Sequence, residues 1–444
     1  MKITVVGAGY VGLVTGVSLA TRGRTVTFVE RNPERVEQLL AGRMPIEEPG
    51  LAAAFAERRD SIGVVGSLAQ AEDPDLVFVA VATPIGEGGE SDLAQMTSAL
   101  EDLRELPDLD VSVRSTLPPG FSERVPALLG RHDGSRVSTN PEFLRQGAAM
   151  RDFAQPSRVV VGLYPETAPD HLEKLHRAYE GFDAPWVTVG TAAAELIKNV
   201  ANAFLALKLS FVNEVAALSE GYGVEVEQVL AGIALDPRIG SAYMRPGLGF
   251  GGSCLPKELQ VLDVAGRRKG LAMHLARAAS QVNLEQQDRF AHRVLSEVPA
   301  GGRIGLLGLS FKADTDDLRG SPAIHVARRL VHAGHQVVAY DPAVRSEQAI
   351  ASVPRLEVVT TPEEVFRDAD AVVLATEWPV FAELDLAALA PTMRRALLFD
   401  GRGLVDPAVA AQAGFAYRGV GRTPREPGGV ATSGIPASVP AGRP

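Results

Sequence analysis

The stretch KITVVGAGYVG, Lys2–Gly12, sets a run of apolar and β-branched residues directly against three glycines spaced Gly7-x-Gly9-x-x-Gly12. A helical pattern follows to about Arg22, and a second strand pattern, Thr25–Val29, ends at Glu30. Strand, tight turn, helix and strand make a βαβ unit. In that setting each glycine has its own task. The first permits the turn, the second lets backbone approach a pyrophosphate, and the third lets helix and strand pack closely, with the helix N-terminus facing the phosphate charge. Glu30 is placed to accept hydrogen bonds from an adenosine ribose and to repel a 2′-phosphate, which favours NAD over NADP; Arg31 beside it would accommodate that phosphate and pulls the other way.

Outward from this unit, strand-like runs recur at Leu76–Val81, Val111–Arg114 and Arg158–Gly162. Helix-compatible segments rather than tight hairpins separate them, so a parallel sheet covered by helices is expected, and residues 1–190 read as an NAD-binding Rossmann domain. Thr191 to about Glu220 has no internal glycine or proline and carries apolar residues on nearly every face. It reads as one long buried helix that needs covering surfaces, and with helical segments near Val226–Ala231 and Ser280–Val298 it makes residues 191–300 a helical middle domain that dimerises. From Arg303 the opening pattern returns in weaker form: strand Arg303–Leu307, Gly308, a helix from about Ser321 to Ala333, and strand Gln336–Tyr340 ending at Asp341. Later strands at Ala371–Ala375 and Ala396–Phe399 extend a second Rossmann-like domain, residues 301–423. Residues 424–444, dominated by Pro, Gly, Ser and Ala, read as a disordered tail. The fold class expected is α/β, with two Rossmann-like parallel-sheet domains joined by a helical middle domain around a long central helix.

Composition bounds the function. With 444 residues, 46% hydrophobic and 22% charged, the chain has the balance of a globular protein. Its 44 Lys and Arg against 54 Asp and Glu leave a net charge of -10, a poor match for nucleic acid, so no nucleic-acid partner is expected. One cysteine, Cys254, cannot form an internal disulfide, which suits a reducing compartment, and a cytoplasmic location is expected. No basic leader precedes Ile3 and no uncharged run reaches the roughly 18 residues of a span, so no membrane association is expected. The eight histidines show no metal-ligand spacing, and no metal is expected.

Cys254 ends the run Gly249-Phe-Gly-Gly-Ser-Cys254 and is followed by Leu255-Pro256-Lys257-Glu258. The glycines and the proline describe an irregular loop whose amides can converge on an anion, and Lys257 favours the reactive thiolate, so Cys254 reads as a nucleophile rather than a small core hydrophobe. On the long helix Glu195, Lys198 and Asn202 share one face. A surface ion pair between Glu195 and Lys198 is the bland reading. An ammonium and an amide in an otherwise apolar stretch are costly unless they serve a site, and Lys198 with Asn202 reads as a pair that stabilises a developing oxyanion.

Taken together, Gly7–Gly12, Gly42–Gly50 (GRMPIEEPG), Ser115–Gly120 (STLPPG), Asn140–Arg145 (NPEFLR), Lys198 with Asn202, Gly249–Lys257 and Phe311-Lys312 resemble the UDP-glucose/GDP-mannose dehydrogenase family. The likeness spans about residues 1–422, and the Cys-x-Pro-Lys run with Val81-Ala-Thr83-Pro84 and Ser91-Asp-Leu93 is nearer to its UDP-glucose 6-dehydrogenase branch than to the N-acetylhexosamine branch. The resemblance implies a four-electron oxidation of a nucleotide-sugar C6 alcohol to a carboxylate with two NAD in succession, through a thiohemiacetal and a thioester on Cys254. It implies that Lys198 and Asn202 hold the C6 oxygen, Thr116 positions water, Glu142 is the acid/base and Glu258 belongs to the catalytic set. It assigns Gly7, Gly9, Tyr10, Val11, Gly12, Glu30, Thr83, Ser115 and Thr116 to the cofactor. To the nucleotide-diphosphate sugar it assigns Phe143, Leu144, Arg145, Lys198, Asn202, Tyr243, Gly247, Phe250, Gly251, Lys312 and Arg402, with Arg238 reaching across a homodimer.

Two positions depart from the family pattern. Gln146 stands where a second glutamate is usual, and Glu258 where an aspartate normally follows Cys-x-Pro-Lys. Glutamine cannot act as a base, and the extra methylene of Glu258 displaces its carboxylate by up to about 1 Å, so slow thioester hydrolysis is expected. UDP-glucose to UDP-glucuronate is the leading reaction. A dTDP-glucose or GDP-mannose 6-dehydrogenase, or a catalytically weak protein that binds NAD and a nucleotide sugar, are the alternatives.

Overall fold

The alternation at Lys2–Val6 forms β1, an inner strand, third from one edge of an eight-stranded sheet. With β2 (Thr25–Val29), β3 (Ile62–Val65), β4 (Leu76–Val79), β5 (Val111–Val113), β6 (Val137–Thr139), β7 (Val159–Leu163) and β8 (Trp186–Gly190), the order is β3-β2-β1-β4-β5-β6-β7-β8. A computed structural model describes residues 1–106 and 108–428, which form two units: Met1–Ala201 with Gln260–Ala272, and Asn202–Leu259 with Met273 onward. The eight-stranded sheet belongs to the first unit.

Strand order reverses beside β1, so the loops after β1 and β4 diverge at the carboxyl ends of the strands, where ligands enter such sheets. The sheet is not parallel throughout: β7 pairs antiparallel with β6, and β8 runs parallel to β7. The reason lies in residues 140–158, which connect β6 to β7 on that same carboxyl-end side and send the chain back rather than across a face. The segment Asn140–Arg145 is thereby kept at the carboxyl ends of the strands. One face of the sheet is filled by Leu13, Val17, Phe28, Phe55 and Phe78, the other by Met96, Leu100, Leu103, Val125 and Leu129, all buried. Burying each such side chain stabilises the fold by roughly 1.5–3 kcal/mol before the ordering entropy is counted.

The second unit holds β9 (Arg303–Leu307), β10 (Gln336–Tyr340), β11 (Glu357–Val358), β12 (Ala371–Leu374), β13 (Leu397–Asp400) and β14 (Ala416–Gly419) in the order β11-β10-β9-β12-β13-β14, all parallel. Its inner strands repeat the first sheet's connections. Gly7 N donates to Val29 O at 2.9 Å and Gly308 N to Tyr340 O at 2.8 Å. Glu30 accepts from Ala8 N at 3.1 Å, while Asp341 accepts from Leu309 N at 2.7 Å and Ser310 N at 3.0 Å. In both repeats an acidic side chain after the second strand caps the turn after the first. Trp378 joins the second cap, its indole N–H 3.2 Å from Ser310 Oγ.

The long helix spans Thr191–Tyr222, its residues through Ala201 in the first unit and the rest in the second. By length and composition it is apolar enough to cross a membrane, with a mean hydropathy of 1.3. Its polar residues Glu195, Lys198, Asn199, Ser210 and Asn213 are nevertheless buried and hydrogen-bonded to protein, which is how a core helix is built. The expectation of cover on most sides meets one exception within the single chain. Leu196, Val200, Phe204, Phe211, Leu218 and Tyr222 recur at four- and seven-residue intervals, so they share one face, and that face is exposed, Phe204 by 60% and Leu218 by 61%.

Residues 424–428, assigned to the tail in the sequence reading, include an isolated bridge between Tyr417 and Arg425, and Gly428 N donates to Ala411 O at 3.0 Å. The remainder of that expected tail, residues 429–444, lies outside the described residues.

Candidate active site

In the first unit the glycine turn has the geometry its spacing requires. Gly7 has φ +96° and a Cβ there would lie 2.9 Å from Ala80 O; a Cβ on Gly12 would lie 1.9 Å from Gly7 O, so neither position admits a side chain. A Cβ on Gly9 would meet nothing within 4 Å, so the backbone at the helix N-terminus faces open space where a pyrophosphate can approach. The first turn of that helix, Tyr10–Thr21, carries no acidic residue, and its dipole is left for an anionic ligand. Glu30 is buried and accepts from Ala8 N, Asn32 N at 2.9 Å and Arg35 Nη1 at 3.3 Å, which leaves acceptor capacity for ribose hydroxyls. Arg31 is paired with Asp102 and donates to Ser98 Oγ at 2.8 Å. Its pull toward NADP is thus weakened, and these residues fit NAD.

Tyr10 donates its hydroxyl to Glu48, whose carboxylate also accepts from Gly147 N and Ala149 N, each at 2.7 Å. Burial, with the Glu48 hydrogen bond and charge, pushes the Tyr10 phenol far above its ordinary range, so it remains a hydrogen-bond donor. The GRMPIEEPG motif therefore acts through Glu48, tying the glycine turn to the segment after Glu142. Val11, next to Tyr10, packs against the core under the turn. Ser115 Oγ donates to Val81 O at 2.6 Å and Thr83 Oγ1 to Thr116 O at 2.9 Å, so the loops after β4 and β5 are laced together.

Glu142 is buried, and Lys198 Nζ lies 2.8 Å from its Oε1. Burial alone would push this carboxyl up. The Lys198 charge and hydrogen bond, the Leu144 amide and the more distant Arg114 charge outweigh it and hold Glu142 below the usual carboxylate range. Lys198 also sits 5.5 Å from the Phe143 ring centroid, and Arg158 covers the same ring at 3.7 Å. Leu144 packs into the core, Arg145 is engaged by Asp152 at 2.7 Å, and Asn202 lies half-buried one turn beyond Lys198. Neither the bland ion pair nor a shared role holds for Glu195: it turns away from Lys198 to Gly120 N and Ser122 N.

In the second unit the loop before Cys254 is held from several sides. Asn213 accepts from Gly247 N at 2.9 Å, Gln286 donates to Gly247 O at 2.6 Å, and Asn283 accepts from Phe250 N at 2.8 Å while donating to Phe250 O at 3.0 Å. Gly252 N donates to Arg319 O at 2.8 Å, and a Cβ on Gly251 would lie 2.3 Å from Gly320 O. Cys254 is exposed and immediately precedes the helix Leu255–Arg268, with Pro256 and Glu258 in its first turn. The thiol thus stands at a helix N-terminus, which favours negative charge. Proline and glycine had read as loop only, but proline is well tolerated in a helix's first turn, and Glu258 is buried on that helix.

Arg402 donates to Ala375 O at 2.8 Å, Gly249 O at 3.3 Å and Phe311 O at 3.2 Å. Arg402 thus reaches the cysteine loop at Gly249, and its guanidinium also lies 3.2 Å from the Glu377 carboxylate. Lys312 lies over the Phe311 ring, and Tyr243 is half-buried with a left-handed φ of 60°. Arg238 is 87% exposed on its side chain and pairs with Asp236 of its own turn. Among the described residues no group of three or more His, Cys, Asp or Glu is arranged to hold a metal ion.

Several residues that build the surroundings of these positions in each unit were not singled out in the sequence: Glu48, Arg114, Asn199, Asn213, Asn283 and Gln286. Arg114 is buried between Thr15 (2.7 Å), Asn140 Oδ1 (2.6 Å) and Tyr179 (2.6 Å), beneath the start of the segment that carries Glu142. A signal was present for the amides, because Asn283 and Gln286 fall on the face of their helix shared by Ala279 and Phe290. Polar residues at core-facing positions of an amphipathic helix need a partner.

Three segments match models of one family. Residues 1–182 match the UDP-glucose/GDP-mannose dehydrogenase family NAD binding domain, 192–285 its central domain and 305–407 its UDP binding domain. The chain is 38% identical to a UDP-glucose 6-dehydrogenase of Pseudomonas aeruginosa, over 95% of this chain and 98% of that protein. It is 36% identical to UDP-glucose 6-dehydrogenase YwqF of Bacillus subtilis, over 97% and 99%. Among solved structures it is similar to a UDP-glucose dehydrogenase from Pyrobaculum islandicum, with TM-score 0.85, 36% identity and coverage of 95% and 98%. A UDP-D-ManNAc dehydrogenase from Pyrococcus horikoshii superposes with TM-score 0.84 at 27% identity, covering 95% and 100%.

Proposed function

As a member of the UDP-glucose/GDP-mannose dehydrogenase family, the chain is an NAD-dependent nucleotide-sugar 6-dehydrogenase, and we propose that it oxidises UDP-glucose to UDP-glucuronate through a thioester on Cys254. The observation that carries the covalent route is the chain's only cysteine, exposed at a helix N-terminus at the end of a hydrogen-bonded glycine loop. Gly7–Gly12 and Glu30 would hold NAD, which would supply the oxidising power as hydride acceptor for each of the two oxidations of C6. Cys254 Sγ bonds to the C6 carbon of the intermediate aldehyde and its proton passes to the C6 oxygen. Loss of that proton with the second hydride leaves a thioester. Water then cleaves the C6–S bond, releasing the carboxylate and restoring the thiol. Lys198 and Asn202 stabilise the C6 oxygen as it gains charge, Thr116 positions the water, and Glu142 takes up and returns the proton.

Residues 143–145, Tyr243, Gly247, Phe250, Gly251, Lys312 and Arg402 hold the nucleotide sugar in this reading. The exposed apolar face of the long helix supports a homodimer in which Arg238 serves the second copy's substrate. The three-part division at residues 190 and 300 is retained as the functional one, and a cytoplasmic location accords with the single cysteine.

The reading is tested by a screen of UDP-, dTDP- and GDP-sugars that follows NADH absorbance and identifies the product by mass. UDP-glucose is expected to yield two NADH per sugar and the corresponding acid. Preference for dTDP-glucose or GDP-mannose reassigns base or sugar, and tight binding of both ligands without NADH would leave a binding protein instead.

Gln146 and Glu258 lead to a second expectation. With a neutral amide in place of a carboxylate and a carboxylate displaced by up to about 1 Å, hydrolysis is the step most exposed to loss, and such misplacement costs up to about 100-fold. Acid-quenched samples are expected to show an acyl adduct on Cys254 that accumulates after mixing and declines in Gln146→Glu. Wild-type samples with no adduct at any time would show that hydrolysis is not slow.

A further inference from the structure

We propose that Glu195 and Asn199 are positioning residues that hold the segment Ser115–Ser122, and with it Thr116, in register for release of the acid; the proposal rests on the reading of Thr116 as the residue that positions water. Glu195 is buried, and its carboxylate receives three hydrogen bonds from a single turn: Gly120 N at 2.6 Å, Ser122 N at 2.7 Å and Ser122 Oγ at 2.6 Å. Ser122 is itself fully buried, and its carbonyl accepts from the Tyr164 hydroxyl at 2.5 Å. One helical turn on, Asn199 Nδ2 donates to Leu117 O at 3.0 Å and to Glu195 O at 2.7 Å. From the opposite side, Thr83 holds Thr116 O and Ser115 Oγ holds Val81 O. Within the segment Phe121 N donates to Pro118 O at 3.1 Å, but Pro118 and Pro119 have no N–H to give, and Thr116 lies between residues tied to two different elements.

Packing alone does not account for these side chains. A buried carboxylate whose partners are two amides and a hydroxyl, with no cation among them, is a costly way to fill space that leucine or methionine would fill. Asn199 Oδ1 is buried without a hydrogen bond, a further cost retained for the sake of its Nδ2 contacts. Both costs are explained if the backbone from Leu117 to Ser122 must be held to within fractions of an ångström, the tolerance that a positioned water demands.

The test uses Glu195→Gln, which keeps shape and one acceptor but sets an NH₂ against a backbone N–H. Hydrogen exchange of the unliganded protein is expected to be about 10-fold or more faster at Gly120 and Ser122 and unchanged in β4 and β5. Single-turnover kinetics are expected to show acid release slowed about 10-fold or more, with the NADH burst and the sugar KM within about 2-fold of wild type. Glu195→Gln combined with Thr116→Ala is expected to be no slower than Thr116→Ala alone, since the two act in series. Asn199→Ala gives the same signature should Glu195→Gln not fold. Unchanged exchange at residues 120 and 122, additive losses in the double variant, or equal losses at both hydride steps would overturn the proposal. Wild-type protein that releases acid with Thr116→Ala unimpaired would instead defeat the reading of Thr116, while the exchange data still report on the anchoring.

Discussion

Replacing Cys254 by alanine is expected to lower acid formation from UDP-glucose by about 1000-fold or more, the scale on which loss of a covalent nucleophile acts. Without the sulfur, the first oxidation still yields an aldehyde, but no thiol adds to C6 to set up the second hydride transfer. NADH is therefore expected to stop near one per active site under single-turnover conditions, and no acid appears by mass. Cys254→Ser separates chemistry from geometry. The hydroxyl adds more weakly and forms an ester rather than a thioester, so an adduct that persists after acid quench places the oxidised carbon on residue 254. The loop should tolerate both changes, because its shape comes from Asn213, Asn283, Gln286, Arg319 and Arg402 rather than from the thiol. Full retention of acid formation in Cys254→Ala would eliminate the covalent route.

What was legible in the sequence was what is local. The Lys2–Gly12 run announces its βαβ unit because strand alternation, glycine spacing and helix onset lie within a few residues of one another. The weaker copy at Arg303–Tyr340 follows by the same signs, and the long helix differs from its expected end by two residues. Short strands escaped notice, since Ile62–Val65 and Val137–Thr139 are too brief to show a period of two. The reversal at β7 was hidden because direction depends on the path of residues 140–158, not on the composition of Val159–Leu163. The same division runs through the candidate site residues of each unit. Gly7, Gly9, Gly12 and Glu30 could be read from spacing, whereas the holds that Glu48 has on residue 149, Asn283 on residue 250 and Arg402 on residue 249 join positions 33 to 153 residues apart. Such pairings are made by tertiary folding and leave in the sequence only a polar residue where an apolar one is expected.

Lys198→Met should cost both stability and rate, and its pH dependence carries a distinctive sign. The ammonium is the main force holding Glu142 ionised against burial. Breaking a buried pair by removing one partner costs about 3–5 kcal/mol, because the remaining charge is left uncompensated. In the wild type the Glu142 carboxyl titrates below its unfolded-state value. Its contribution is thus fully present above the ordinary carboxylate range, near pH 4.3, and is lost as pH falls through the depressed folded value. In Lys198→Met burial is opposed by the Leu144 amide and the Arg114 charge but no longer by the ammonium, so the folded value is expected to rise and protonation to relieve the variant. The stability gap between the two proteins is therefore expected to be widest at neutral pH and to narrow on acidification toward pH 4. The two tryptophans make the measurement local: Trp186 belongs to the first unit and Trp378 to the second, so Trp378→Phe leaves a reporter for the unit that holds the pair. Glu142→Gln added to Lys198→Met should recover part of the loss, since no charge then stays buried. Turnover should remain about 100-fold or more below wild type in both, because the ammonium proposed to stabilise the C6 oxygen is absent from each. A gap that is constant with pH, or a double variant no more stable than Lys198→Met, would show that Glu142 does not depend on Lys198 for its charge.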